Sequence, residues 1–363
     1  TIAGTGAAIS WANQDAGVYT VNAYYTAAPL CPVQMSGSVT ATETALPLAY
    51  NVTGGGTYCS GGSGLTVGLD NSQAGVEYQL LLGAAPVGTP VVGTGAGISF
   101  GLQTVAGSYT VEATTTTTPS CGPVLQTGSV DIIERALPTI YTVSAIGSTS
   151  YCAGTPSVEV GISNTEAGVT YELIKDGSTS IGTIAGTGAA ISWANQDAGV
   201  YTVNAYYTAA PLCPVQMSGS VTATETALPL AYNVTGGGTY CSGGPGLTVG
   251  LDNSQAGVEY QLLLGAAPVG TPVAGTGVAI SFGQQTASGT YTVEATTTTT
   301  PACGPVAVNG GATSSVDIIE RALPIVQTVE AAGSTTYCSG GNLDLQITDS
   351  QTNIDYELYL NGA

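Results

Sequence analysis

The 363-residue sequence contains no histidine and only three basic residues, Arg135, Lys175 and Arg321, against 23 aspartates and glutamates, for a net charge of −20. Each shortage excludes a class of function. Without Lys and Arg nothing can neutralise a run of phosphates, so nucleic-acid binding is excluded. An anionic membrane surface repels the chain for the same reason. Without imidazole there is no Ser-His-Asp triad, no Cys-His pair and no His-ligated metal. Charged residues make up 7% of the chain. The acidic ones stand singly, so their main effect is to keep the surface soluble. Long apolar runs are missing too. Gly, Thr or Pro interrupts every stretch before 18 residues, so neither a transmembrane helix nor a signal peptide is expected. The chain opens at Thr1, without an initiator Met, inside a pattern that recurs later, as a segment cut from something longer would.

Low charge and 52 Gly also suit a disordered chain, but 43% apolar residues and 20 Tyr supply enough burial for packed cores. The main fact is an internal repeat. Thr1–Gly62 recurs unchanged as Thr183–Gly244, an offset of 182 residues. The match continues to Gly122 and Gly304 with scattered substitutions. A four-residue insertion then shifts the offset to 186, where Asp131–Arg135 matches Asp317–Arg321.

Each unit is itself two related halves. Ala-Leu-Pro occurs at 45–47, 136–138, 227–229 and 322–324, the prolines being 91, 91 and 95 residues apart. Tyr-Cys pairs stand at 58–59, 151–152, 240–241 and 337–338, and second cysteines at 31, 121, 213 and 303. The pattern predicts three whole domains, 48–138, 139–229 and 230–324. Two partial ones flank them: 1–47, a C-terminal half, and 325–363, an N-terminal half.

Strand signals dominate. Leu65–Leu69 alternates, Val76–Leu80 follows a Gln-Ala-Gly turn, and Tyr109–Ala113 runs into five threonines. About seven short strands per domain, with no 3.6-residue apolar period, predict an all-β fold of tandem immunoglobulin-like antiparallel β-sandwiches forming an elongated rod. Gly-x-Tyr places Tyr19, Tyr109, Tyr201 and Tyr291 where such a sandwich has its tyrosine corner. Trp11, Phe100, Trp193 and Phe282, each two residues after an Ile, read as large inward-facing core aromatics rather than ligand-stacking rings.

The order Tyr-Cys-x-Gly, Val-x-Tyr-x-Leu, Gly-x-Tyr-Thr-Val-x-Ala, Cys resembles the tandem immunoglobulin-like repeats of giant Bacteroidetes cell-surface adhesins. These include the SprB-like gliding-motility adhesins and similar type IX-secreted surface fibres. Tyr58-Cys59-Ser-Gly, Val76-Glu-Tyr78 and Gly107-Ser-Tyr109-Thr-Val carry the resemblance, which extends over the whole chain. It implies a long, thin, extracellular fibre on a bacterial surface, often adhesive.

Eight cysteines, with no CxxC and no His, indicate disulfides in an oxidising compartment rather than zinc. Their partners are less direct. Cys59, Cys152 and Cys241 precede the second strand, at the bottom of a sandwich, whereas Cys121, Cys213 and Cys303 follow the penultimate strand, at the top. A seven-residue strand spans roughly 23 Å, and bridged Cα atoms stand about 5–6 Å apart. The bottom of one domain faces the top of the next, so Cys59–Cys213 and Cys152–Cys303 across domain boundaries is the preferred pairing. Pairing within each domain is the alternative.

Other candidates have bland readings. Asp70-Asn71-Ser72 and Asp252-Asn253-Ser254 supply too few oxygens for calcium and read as turns. Asp131 and Glu134 point to opposite strand faces and make a poor catalytic pair. Glu134 beside Arg135 reads as a solvated surface pair. The threonine runs 114–118 and 296–300 read as exposed hairpin strand, with O-glycosylation as the alternative. Asn51-Val-Thr53 and Asn233-Val-Thr235 match the N-glycosylation pattern only by coincidence in a bacterial protein. No cofactor, no metal and no catalytic residue is expected, and the chain is not read as an enzyme.

Two functions remain. One is the stalk of a surface adhesin, whose partners are neighbouring repeats, with side-by-side copies of itself as a further option. Its surface or glycan ligand would then bind through regions outside this segment, which itself inserts in no membrane. The other is a multivalent carbohydrate-binding module, for which the adjacent pairs Tyr24-Tyr25 and Tyr206-Tyr207 are the sole aromatic feature.

Overall fold

In the computed structural model, which describes residues 1–155, 158–308 and 314–360, the regular structure is all strand. Strand Gly107–Thr115 shows why. Tyr109, Val111, Ala113 and Thr115 are buried, while Ser108, Thr110, Glu112 and Thr114 alternate with them on the other face. This two-residue period fits a strand with one face in a core, where each large apolar side chain contributes about 1.5–3 kcal/mol.

Four short strands come first: β1 (Gly17–Tyr19), β2 (Asn22–Ala23), β3 (Val33–Gln34) and β4 (Val39–Ala41). Nine strands then build the first complete sandwich. They are β5 (Val52–Gly54), β6 (Gly56–Cys59), β7 (Leu65–Leu69), β8 (Val76–Leu82), β9 (Ala85–Val92), β10 (Ile98–Gln103), β11 (Gly107–Thr115), β12 (Val124–Leu125) and β13 (Val130–Arg135). One sheet has the order β10-β7-β5; the other has β6-β13-β11-β8-β9, with β12 added to β11. Val67 and Leu69 of the first sheet meet Tyr78, Leu80, Tyr109, Val111 and Ile132 of the second in one core. The same pattern recurs as β14–β22, between Val143 and Thr226, and as β23–β31, between Val234 and Arg321, each with its own core. Tandem β-sandwiches are thus the fold.

Two details depart from the sequence reading. Among the described residues each complete sandwich has nine strands rather than seven, and one pairing is parallel: β6 runs beside β13, with Gly56 opposite Ile132 and Cys59 opposite Arg135. The cause is Gly54-Gly55-Gly56, where φ is +96°, +73° and +121° and the chain leaves one sheet for the other. A Cβ at Gly54 would lie 2.0 Å from the Thr66 carbonyl oxygen, so no other residue fits. Edge strand β9 carries Pro86 and Pro90, and its pairing with β8 slips between Tyr78 and Leu80. Such interruptions blunt an edge against further strand addition.

The linkers are held. Pro47, Pro138 and Pro229 are buried. The residue after each of them donates its backbone N–H to a side chain of the following repeat. Leu48 reaches Gln73 Oε1 at 3.2 Å, Thr139 reaches Glu166 Oε1 at 3.3 Å and Leu230 reaches Gln255 Oε1 at 3.1 Å.

Candidate functional site

The chemistry of this chain concentrates where one sandwich meets the next. At the first junction, the parallel ladder of β6 and β13 sets Cys59 beside Arg135. Facing them is the hairpin between β20 (Gly199–Tyr207) and β21 (Val215–Gln216) of the second sandwich. Its loop closes when Tyr207 N donates to the Leu212 carbonyl at 2.8 Å. Cys213, at its far side, is 1% exposed and bonded to Cys59, with Cα atoms 5.3 Å apart. Arg135 Nη1 donates to the carbonyls of Ala209 at 2.8 Å and Pro211 at 3.1 Å. Its guanidinium lies 3.7 Å from the centre of the Tyr207 ring. A cation over a tyrosine face with two carbonyl acceptors is a specific recognition geometry, of the order of 0.5–2 kcal/mol for the ring contact alone.

This corrects the reading of Arg135 as half of a solvated pair with Glu134. Among the described residues the one ion pair is Lys175–Asp197, at 2.9 Å. Arg135 is half-buried because the neighbouring loop covers it. The adjacent-tyrosine feature changes meaning as well, since Tyr207 is occupied by the junction.

The second junction joins Cys152, on β15 (Ser150–Cys152), to Cys303 of the third sandwich, with Cα atoms 5.4 Å apart. In register beside Cys152 stands Thr226, at the end of β22 (Val221–Thr226), in the position Arg135 holds at the first junction. The incoming loop is the threonine run. Ser150 Oγ donates to the Thr300 carbonyl at 3.2 Å, and Cys303 N donates to Thr297 Oγ1 at 2.7 Å. So the structure brings Cys59 to Cys213 and Cys152 to Cys303, and the two junctions differ in chemistry. Cys31, Cys121, Cys241 and Cys338 are free thiols. Cys121 lies at the top of its sandwich, its Sγ 3.6 Å from the carbonyl of Thr44 in the preceding repeat.

The tyrosine-corner candidates make one local contact four times. Tyr19, Tyr109, Tyr201 and Tyr291 donate their hydroxyls to the carbonyls of Asp15, Val105, Asp197 and Ala287, at 2.6, 2.8, 2.9 and 2.9 Å. Burial pushes the phenols of Tyr109 and Tyr291 up, and Tyr201 rises further through Asp197. Asp197 itself is held below the usual carboxylate range, first by its hydrogen bond from Lys175. A second tyrosine set, Tyr78, Tyr171 and Tyr260, is fully buried. Each hydroxyl accepts the backbone N–H five residues earlier, at 2.8–2.9 Å. The Val-x-Tyr motif was its signal.

The core-aromatic candidates divide. Trp193 is 8% exposed within the second core. Phe100 and Phe282 are half-buried beside open clefts between the outer strands of the two sheets, whose linings carry no titratable group. Trp11 is 43% exposed and is no core residue here. Strand β16 (Val158–Ile162), which packs with Trp193, has no counterpart beside Trp11 in this sequence.

The remaining candidates resolve into structural hydrogen bonds between neighbouring strands and loops. Asn51 donates to both oxygens of Asp70, from its backbone N at 2.9 Å and its Nδ2 at 2.6 Å. In the threonine run, Thr115 is buried, Thr116 Oγ1 donates to the Gly75 carbonyl at 3.0 Å, and Thr117 Oγ1 donates to Thr115 Oγ1 at 3.0 Å. Among the described residues no three of His, Cys, Asp and Glu cluster as metal ligands. No described helix is long and apolar enough to cross a membrane.

Scans against protein-family models and curated proteins gave no match. Solved structures that resemble the chain include a Ca2+-stabilised adhesin that helps an Antarctic bacterium reach out and bind ice, at 18% identity and a TM-score of 0.37, covering 80% of this chain and 78% of that one. Another is from a 1.5-MDa bacterial ice-binding adhesin, at 14% identity and a TM-score of 0.30, covering 77% and 97%. Fibronectin(III)-like modules of Clostridium thermocellum CbhA match at 12% identity and a TM-score of 0.27, covering 49% and 95%. At these scores the likenesses add nothing to what the sheets themselves show.

Proposed function

We propose that this chain is a stalk section of a long extracellular adhesin or filament on a bacterial surface, built to carry tension between neighbouring repeats. One observation carries the reading: both disulfides cross from one sandwich to the next, and neither closes a loop within a sandwich. A disulfide that served only to shore up a small core would stay inside it. These join bodies that already have complete cores. Held linkers support the same reading, with domains at 48–138, 139–229 and 230–324 and partial repeats at 1–47 and 325–363. Disulfides suit an oxidising, extracellular setting. Gliding motility and type IX secretion rest on the motif resemblance alone.

The multivalent glycan-binding reading loses its support in the complete second sandwich, because Arg135 covers Tyr207. Negative-stain imaging tests the stalk. Consecutive domains at fixed angles are expected in the oxidised chain, with wider angular scatter after reduction. Randomly bent beads before reduction would refute it.

A further inference from the structure

We infer that the clefts beside Phe100 and Phe282 are binding sites for a neutral hexose ring, one on the first sandwich and one on the third, with none on the second. They use other residues than the paired tyrosines, and they go beyond the stalk reading, which neither needs nor excludes them.

Each cleft opens between the outer strands of the two sheets. These are β9 and β10 in the first sandwich, and β27 (Ala267–Ala274) and β28 (Ile280–Gln285) in the third. The volumes are about 290 and 270 Å³, at the small end of ligand sites. Strand β9 makes the room. Val91 stands opposite Tyr78 and Val87 opposite Leu80, so Gly88, Thr89 and Pro90 bow out against the single residue Gln79. Gln79 Nε2 holds the bow by donating to the Val87 carbonyl at 3.0 Å. Strand β27 bows in the same way over Gln261, whose Nε2 donates to the Val269 carbonyl at 3.1 Å. A bulge of this kind re-aims the side chains beside it.

The floor of each cleft is a half-buried phenylalanine that packs on the core and also lines the opening. The rim is polar and already oriented. Gln103 Nε2 donates to the Phe100 carbonyl at 3.0 Å, which leaves its Oε1 to accept. Ser99 Oγ accepts the N–H of Gly101 at 3.1 Å, which leaves its own proton to donate. Gln285 and Ser281 repeat these contacts at 2.9 and 3.1 Å.

The second sandwich is an internal control, because every one of these features is cancelled there. Trp193 stands where Phe100 does and is buried, as is Gln196 in the place of Gln103. Ser192, the counterpart of Ser99, donates its hydroxyl to Glu159. Strand β18 (Thr179–Ala185) has no bow, since Gly182, Thr183 and Ile184 face Leu173, Glu172 and Tyr171 one to one.

The lining selects the ligand. No charged side chain lines either cleft, so no ion finds a counter-charge, and the net charge of −20 further disfavours an anion. An extended peptide is the rival occupant, but Pro86 and Pro90, like Pro268 and Pro272, withhold backbone donors from one wall. An aromatic ring flanked by hydroxyls and an amide oxygen matches a molecule with one C–H face and a hydroxyl edge, which is a pyranose. Two equal sites on one chain add avidity toward a polymer of that sugar.

Saturation-transfer NMR on the 363-residue chain, with the methyl glycosides of glucose, galactose and mannose, tests the site. Transfer to the ring protons of at least one is expected, with a Kd of about 1–10 mM. Methyl glucuronide should bind about fivefold more weakly. Phe100→Trp with Phe282→Trp copies the second sandwich and should weaken binding about tenfold or more by filling the clefts, with unchanged circular dichroism. Thr89→Val with Thr271→Val, at exposed rim positions, should weaken it about threefold through one lost hydrogen bond. The site is overturned if none of the three glycosides shows transfer, if transfer survives the tryptophan pair, if the threonine pair binds like the parent, or if glucuronide binds equally. Transfer to the extended peptide Ala-Val-Thr-Val-Ala alone overturns it too. All of these outcomes leave the fixed-angle rod, and with it the stalk, to be decided by imaging.

Discussion

The two disulfides overlap along the chain, one joining 59 to 213 and the other 152 to 303. Tension applied at the termini therefore leaves the backbone at Cys59. It crosses to Cys213, runs backwards through the 61 residues to Cys152, and crosses again to Cys303. Of the 244 residue-to-residue steps from Cys59 to Cys303, 183 lie outside that path. At about 3.5 Å per extended residue, this region unfolds to about 210 Å while oxidised and about 850 Å once reduced. The two bonds are not independent. With Cys59→Ser and Cys213→Ser the path is 93 residues, so only 32 are released, about 110 Å. With Cys152→Ser and Cys303→Ser instead, 29 are released, about 100 Å. Removing both pairs frees all 183, about 640 Å. Single-molecule force spectroscopy reads these as contour lengths. Single-pair releases of about 210 Å, the length of a loop closed within one sandwich, would refute the load path. So would two single releases that sum to the double one.

Three further outcomes follow from the same geometry. Trypsin should cut the native chain after exposed Arg321 well before Arg135, whose guanidinium is held against Tyr207; equal rates by mass spectrometry would count against the junction contact. Gly54→Ala should cost about 2–4 kcal/mol by urea unfolding, through the clash with the Thr66 carbonyl, whereas Gly95→Ala, with φ +82° and open space, should cost about 1–2. Because burial raises the phenols of Tyr109, Tyr201 and Tyr291, the folded state holds those protons more tightly. Their contribution should be complete below about pH 10 and lost as pH rises beyond it, with tyrosinate absorbance appearing together with unfolding.

What the sequence made legible was local. The alternation in Tyr109–Thr115 determines which side chains enter the core, and the tyrosine hydroxyl finds its acceptor four residues upstream; both signals fit inside one short window. The contact of Arg135 with Tyr207 does not. The two are 72 residues apart, and Glu134 next door suggested a surface pair. The split of the first strand into β5 and β6 was written as three glycines, which signal a turn without saying that the chain changes sheets. Trp11 and Trp193 show the limit most directly. Their surroundings in sequence are identical, and their burial differs because β16 reaches only one of them.

The two junction types alternate, and so do the sandwiches between them. Each sandwich therefore has neighbours unlike itself, while the near-identical first and third are kept one place apart. Repeat arrays characteristically fail by assembling one domain from pieces of two, and adjacent copies of one sequence would offer each other interchangeable strands. Here a first sandwich still folding meets a second whose matching strand reads Val-Thr-Tyr-Glu-Leu, not Val-Glu-Tyr-Gln-Leu, and whose Gly-Gly-Gly crossover is replaced by Gly-Ser-Thr. The alternation keeps the near-identical first and third sandwiches out of each other's reach while the chain folds.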